Sequence, residues 1–142
     1  MARRRASAPR ELDAGDYRLL ADFRRLLRQF LAFSEQSAAK AGLAPQQHQA
    51  LLAIKGHRDG APTVGDLARH LVIRHHSAVG LVDRLVRAGY VVRRGDPADK
   101  RRVTLVLTKK GQAVLKQLTV WHRAELRRLA PLLKPLLARL QD

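Results

Sequence analysis

The side chains best suited to chemistry lie on one predicted helix near the middle of the chain. In the segment IRHHSAVGLVDRLVRAG, residues 73–89, apolar residues recur at helical spacing and predict a buried side made of Ala78, Leu81, Val82 and Leu85. The opposite side carries basic or small polar groups: Arg74, His75, His76, Ser77, Gly80 and Arg84. Cations at a helix N-terminus oppose the helix dipole at a cost of about 0.3–1 kcal/mol per charge. A phosphate or the edge of a guanine would compensate for this cost, so the pattern favours duplex DNA as a ligand over a merely solvated face.

A second basic cluster follows, beside a predicted strand. The segment YVVRR, the turn GDPAD and the alternating run VTLVL predict a β-hairpin. Its tip would carry Asp99, Lys100, Arg101 and Arg102. Such a tip can meet a phosphate backbone or a narrow minor groove. The alternative is that these charges serve solubility alone.

Composition points to the same class of partner. The chain has 142 residues with 28 Lys and Arg against 12 Asp and Glu, a formal net charge of +16. A charge of this size indicates a polyanionic partner. It is also compatible with a non-specific, architectural nucleoid protein, which would bind the DNA backbone alone.

Other kinds of chemistry find little support in the residues. The chain has no cysteine, which excludes disulfides and thiolate zinc sites. Adjacent helix residues point about 100° apart, so we do not expect His75 and His76 to bind one metal ion together. A glycine-rich phosphate loop and clustered carboxylates are both missing from the sequence. We therefore expect no enzyme activity, no metal and no cofactor.

Several elements must position the two basic clusters. Residues 1–14 are rich in Arg, Ala and Pro and are predicted to form a flexible basic arm. Helical periodicity then runs from Tyr17 to about Lys40. A second helix has Pro45 in its first turn, and a third has Thr63 as its N-cap with Asp66 three residues later.

A long fifth helix is predicted after the hairpin, from Lys109 to about Ala130. Pro131 and Pro135 are expected to break the chain before a short last helix, because proline lacks the N–H that helix hydrogen bonds need. That last helix is too short to bury its own apolar stripe, which consists of Leu132, Leu133, Leu136, Leu137 and Leu140. A homodimer would cover it.

Taken together, the chain is predicted to be mainly α with a small β-hairpin: a winged helix-turn-helix over residues 43–109. No run of 18 apolar residues occurs, and acidic residues follow the basic N-terminus where a signal peptide would be apolar. A soluble cytoplasmic protein is the expectation.

The segment from Leu67 to Gly111 resembles the winged helix-turn-helix of MarR-type transcriptional regulators. The wing is similar to the family pattern Asp-x-Arg-x-x-x-Leu-x-Leu-Thr-x-x-Gly, and the match is without a gap at Asp99, Arg101, Leu105, Leu107, Thr108 and Gly111. The resemblance implies dimerisation helices at residues 15–42 and 110–142. It also implies a homodimer on a pseudopalindromic operator, usually a repressor that a small-molecule effector releases.

The resemblance further implies roles for individual residues. The positions from Arg74 to Gly80 would read the major groove, and Arg101 would enter the minor groove with Asp99 holding it in place. An effector would lie where the first, second and fifth helices meet, and the candidates there are Phe30, Phe33, His48, Trp121 and His122. Core or dimer packing is the alternative role for Phe30 and Trp121. The family usually has Ser, any residue and Pro where this chain has Arg74 to His76, which leaves the base preference open.

Overall fold

The computed structural model describes residues 10–140. Five helices and one hairpin follow in the order α1 (Ala14–Lys40), α2 (Pro45–Lys55), α3 (Val64–Leu71), α4 (His75–Arg87), β1 (Val91–Gly95), β2 (Val103–Leu107) and α5 (Lys109–Ala138). The predicted mainly α fold with a winged helix-turn-helix is confirmed. Most of the predicted basic arm, residues 1–9, lies outside the described residues. Within residues 10–140, no helix has both the length and the apolarity needed to cross a membrane.

The core lies between the helix-turn-helix, the hairpin and the first half of α5. Its largest fully buried side chains are leucines and valines from all of these elements: Leu51, Leu67, Leu81, Val82, Leu85, Val91, Leu105 and Leu118. Burying each of them contributes roughly 1.5–3 kcal/mol to folding. The hairpin and α4 therefore share one core with α5, and this core fixes their relative positions.

Helix α1 begins three residues before the predicted Tyr17. Asp13 is its N-cap and accepts hydrogen bonds from the backbone N–H groups of Gly15 and Asp16, while the Asp16 side chain accepts from the Asp13 N–H. The guanidinium of Arg10 reaches both carboxylates, at 2.6 Å and 2.7 Å. Its hydrogen bond, followed by those of the two backbone N–H groups, lowers the pKa of Asp13. The arm predicted to extend to residue 14 thus ends at a capping box.

The predicted cap of α3 is confirmed. The Thr63 hydroxyl accepts from the Asp66 N–H at 3.1 Å, and the Asp66 carboxylate accepts from the Thr63 N–H at 3.0 Å. That second hydrogen bond is the main cause of the lowered pKa of Asp66. Two free N–H groups at the start of the helix are satisfied in this way.

The predicted break in the last helix is wrong. Helix α5 continues through Pro131 and Pro135 to Ala138. The two prolines are four residues apart and exposed, so the missing hydrogen bonds fall on the outer face of the helix, where water can replace them. Of the leucines expected on a separate helix, Leu132, Leu133, Leu136 and Leu137 therefore extend the apolar face of α5, and Leu140 lies just beyond its end.

The start of α5 is held against the end of α4. The Thr108 hydroxyl donates to the Gly89 carbonyl at 2.6 Å and accepts from the Gly111 N–H at 3.1 Å. Gly111 is buried, and a Cβ at this position would overlap the carbonyl oxygen of Tyr90. Only glycine permits this close approach of two backbones.

Candidate nucleic-acid interface

The first turn of α4 projects away from the core. Ala78, Leu81, Val82 and Leu85 are buried as predicted, and the opposite face leaves four side chains exposed: Arg74, His75, His76 and Ser77. Arg74 is the N-cap residue, and its side chain makes no capping hydrogen bond. The N–H groups of the first turn are therefore available to an anion, which the helix dipole also favours at this end.

Gly80 and Arg84 continue this face one and two turns further along. Gly80 is half-buried and Arg84 is exposed. A Cβ built at Gly80 would lie 3.5 Å from the Arg84 Nη1 atom, so the guanidinium folds back along the helix toward Gly80. The two predicted residues thus form one continuous surface with the first turn.

The wing is anchored at its base. Strands β1 and β2 pair antiparallel with Val91 opposite Leu107 and Gly95 opposite Val103. Val91, Leu105 and Leu107 are buried. The Leu105 N–H also donates to the Pro62 carbonyl at 2.8 Å, which ties the hairpin to the segment before α3.

The tip of the wing is ordered by two aspartates. Asp96 accepts from the Ala98 N–H at 2.8 Å, and Asp99 accepts from the Arg101 N–H at 3.0 Å. The Asp99 carboxylate is also 3.7 Å from the Arg101 Nε, while the Arg101 side chain is 95% exposed. The Asp99 side chain therefore holds mainly the backbone of Arg101 and leaves the Arg101 guanidinium in solvent.

The charge of this region is strongly positive. Residues 69–102 contain nine Lys and Arg against three Asp. All three aspartates pair with arginines of the wing: Asp83 with Arg93, Asp96 with Arg102 and Asp99 with Arg101. Exposed pairs of this kind contribute only about 0–1 kcal/mol, so the aspartates order the wing more than they stabilise the fold. The positive charge that remains suits a polyanion.

Four of the five candidate effector residues meet at the junction of α1, α2 and α5. The His122 ring lies 5.8 Å from Phe30, 5.3 Å from Phe33 and 4.7 Å from His48, measured between centroids. Trp121 projects elsewhere and lines, together with Phe33, a neighbouring cavity of about 520 Å³. Phe30, Phe33, His48 and His122 thus form one cluster, and Trp121 lies on a different side of α5.

The two histidines of this cluster are held in a largely apolar setting. His48 is buried, and burial lowers its pKa, with a further contribution from His122. The His122 Nδ1–H donates to the Leu118 carbonyl at 2.7 Å, and its Nε2 is 2.9 Å from the Ser34 hydroxyl. Because Nδ1 carries a proton, the hydroxyl donates to Nε2 when the ring is neutral. Sequence reasoning missed Ser34, since no local pattern links residues 88 positions apart.

An extended apolar face runs along α1 and α5. A cavity of about 410 Å³ lies on it, lined by Phe23, Leu26, Leu27, Phe30, Leu126, Leu129, Ala130 and Leu133. Further leucines of these helices are exposed: Leu20, Leu31, Leu132 and Leu137, and the exposed Leu140 follows just beyond the end of α5. Exposed apolar surface of this extent marks an interaction site.

Residues 41–102 match the family model described as MarR family. The winged helix-turn-helix of this chain is similar to that of the MarR family. A crystal structure of the multiple antibiotic-resistance repressor MarR from Listeria monocytogenes has a TM-score of 0.68 and 27% identity, with 94% of this chain and 100% of that chain covered. The S. aureus MepR F27L mutant bound to an oligodeoxyribonucleotide shares the fold, with a TM-score of 0.66 and 21% identity over 85% of this chain and 84% of its own.

Among curated relatives, the Bacillus subtilis HTH-type transcriptional regulator YcgE is 36% identical over 84 residues. The match covers 59% of this chain and 53% of YcgE, so this chain spans about half the length of that relative. The family-model match, residues 41–102, covers the helix-turn-helix, the first strand of the wing and its tip, where the exposed basic residues lie.

Proposed function

We propose that this chain is a sequence-specific DNA-binding transcriptional regulator. One observation carries the proposal: the same MarR-type winged helix-turn-helix has both a basic first turn of α4 and an ordered, basic wing tip. Both surfaces are exposed, and both are fixed to the same core. Such a protein would act in the cytoplasm.

The residues divide into two kinds of contact. The α4 group would enter the major groove: Arg74, His75, His76, Ser77, Gly80 and Arg84. In the wing, Arg101 would enter a minor groove, where narrow A·T sequences concentrate negative potential. Lys100 and Arg102 would contact phosphates, and Asp99 would set the position of Arg101.

Homodimerisation is the second part of the proposal. The apolar face of α1 and α5 needs a partner, and a second copy presents the same face about a two-fold axis. The helices of residues 15–42 and 110–142 would form this interface, and residues 43–109 would form the DNA-binding unit. We expect a buried area above about 2,000 Å², as in obligate dimers. Two α4 helices would then reach successive major grooves of a pseudopalindromic operator.

Repression released by a small molecule is the third part. The junction of Phe30, Phe33, His48 and His122, with Trp121 on the adjacent cavity, lies between the α1 and α5 helices and the DNA-binding unit. A ligand that wedges into this junction would change the angle between the two parts and so the spacing of the two α4 helices.

Selection of bound sequences from a random DNA pool tests the first part directly. The recovered motif and a scrambled control of the same length are then titrated at several salt concentrations. We expect the motif to bind at least about a thousandfold more tightly, as specific regulators do. A ratio near one at every salt concentration would instead indicate an architectural protein, which the net charge of +16 would equally support.

A further inference from the structure

Val72 has a backbone conformation that valine rarely adopts. It is the C-cap of α3, with φ 55 and ψ 47 in the left-handed region. Among residues 10–140, it is the single non-glycine residue with positive φ. Branching at Cβ makes this region particularly unfavourable for valine, whereas glycine or asparagine enters it readily.

Packing does not explain why a valine occupies this position. The Val72 side chain is 89% exposed. The turn itself is held by backbone groups, since the Val72 N–H donates to the Arg69 carbonyl and the Ile73 N–H to the Ala68 carbonyl. Neither set of bonds uses the valine side chain. A glycine would therefore make the same turn with less strain and no loss of buried surface.

The position of Val72 is within the proposed DNA-binding surface. It lies in the turn of the helix-turn-helix, two residues before Arg74. Val72 lines a shallow concavity of about 510 Å³ together with Arg69, Arg74 and His75. Val72 is thus an apolar group fixed in direction beside two arginines, Arg74 and Arg69, and the side chain of Arg69 is paired with Asp66 but 75% exposed.

We propose that Val72 is a specificity-determining residue that contacts the 5-methyl group of a thymine at the edge of the major groove. This inference rests on the proposed DNA-binding function. The thymine methyl is the apolar feature that base pairs present in that groove, and apolar side chains recognise it by contact. Arg69 and Arg74 would hold the neighbouring phosphates, and the strained backbone keeps the isopropyl group pointing outward without ordering a flexible side chain.

The test pairs protein variants with single-methyl changes in the DNA. Each thymine of the selected motif is replaced in turn by deoxyuridine, which removes only the 5-methyl group. We expect one position in each half-site at which this change weakens wild-type binding about fourfold, the factor for burying one methyl-sized group. V72G and V72N should bind the unmodified motif more weakly by a similar factor and should be insensitive to deoxyuridine at that position.

Thermal melting of V72G and V72N separates a lost contact from a damaged fold. Both substitutions suit the left-handed conformation, so both variants should melt at or above the wild-type temperature. If the wild type binds its motif but V72G shows the same deoxyuridine profile, the thymine contact is wrong while the proposed function stands. If V72G bound every DNA, with or without deoxyuridine, more weakly than the wild type by one common factor, the thymine contact would likewise be overturned. A wild type that selects no sequence overturns the proposed function and this assignment with it.

Discussion

Replacing Gly111 with alanine should weaken the packing of α5 against the winged helix-turn-helix and so lower the free energy of unfolding. Alanine is favoured over glycine inside a helix by about 1 kcal/mol, so helix propensity alone predicts a gain in stability. The added Cβ, however, would overlap the Tyr90 carbonyl oxygen, which also accepts the Thr108 N–H at 3.0 Å. The backbone fixes the position of the Cβ, and its partner is a backbone oxygen, so no side-chain rotation can relieve the overlap.

The opposing contributions can be compared. Overpacking typically costs 1–3 kcal/mol, and weakening the Thr108 hydrogen bond costs about 1 kcal/mol more. After the propensity gain is subtracted, G111A should lower the free energy of unfolding by about 1–3 kcal/mol. Gly65 in α3 provides a matched control, because a Cβ there meets its nearest atoms at 3.6 Å and 3.7 Å, which is ordinary contact. G65A should therefore be neutral or stabilising by up to about 1 kcal/mol.

Urea denaturation followed by circular dichroism measures both variants. The protomer concentration must be the same in each titration, because the proposed dimerisation would contribute to stability by mass action. The midpoint should fall for G111A and stay or rise for G65A, with unchanged slopes. If G111A were as stable as G65A, the close approach of α5 to Tyr90 would not exist in solution, and the reasoning would be refuted.

Four further outcomes are expected. In fluorescence anisotropy on one operator, R101A should weaken DNA binding by about 1–3 kcal/mol, and D99A should also weaken it. K100A should mainly reduce, by about one unit, the slope of log affinity against log salt concentration. Tighter DNA binding by D99A would contradict an ordered wing tip. Deleting residues 131–142 should give monomers or aggregates in light scattering, and a monodisperse dimer would argue against the α1 and α5 interface. Footprinting should show half-site centres about 10 bp apart, and centres half a turn out of phase would exclude the proposed two-fold arrangement. Burial lowers the pKa of His48 below 6.5, so the His48 ring takes up a proton more readily in the unfolded chain than in the folded one. The free energy of unfolding should therefore fall as the pH drops below 6.5 toward the lowered pKa. H48Q should lose less stability over that pH range, and a pH dependence identical to that of the wild type would rule out His48 as the cause of the loss.

The sequence by itself determined the elements whose causes are local. Periodicity placed the buried face of α4, the Thr63 and Asp66 pair marked the start of α3, and alternation with a Gly-Asp-Pro turn located the wing. Each of these signals depends on residues a few positions apart, so it is readable without a fold. The basic character of the candidate interface could also be predicted from the sequence, because its charged residues lie close together along the chain.

Only the tertiary structure decided the features that join distant segments. Helix α5 continues through Pro131 and Pro135 although proline predicts a break, because both lie on its exposed face while Leu129 packs inward. His122 meets Ser34 across 88 residues, and Gly111 is required by the backbone of Tyr90 rather than by its own helix. Val72 continues an apolar run in the sequence, yet the turn between α3 and α4 leaves it 89% exposed. In each case the outcome depends on which surfaces the fold brings together, and contacts between distant segments leave no periodic signal in the chain.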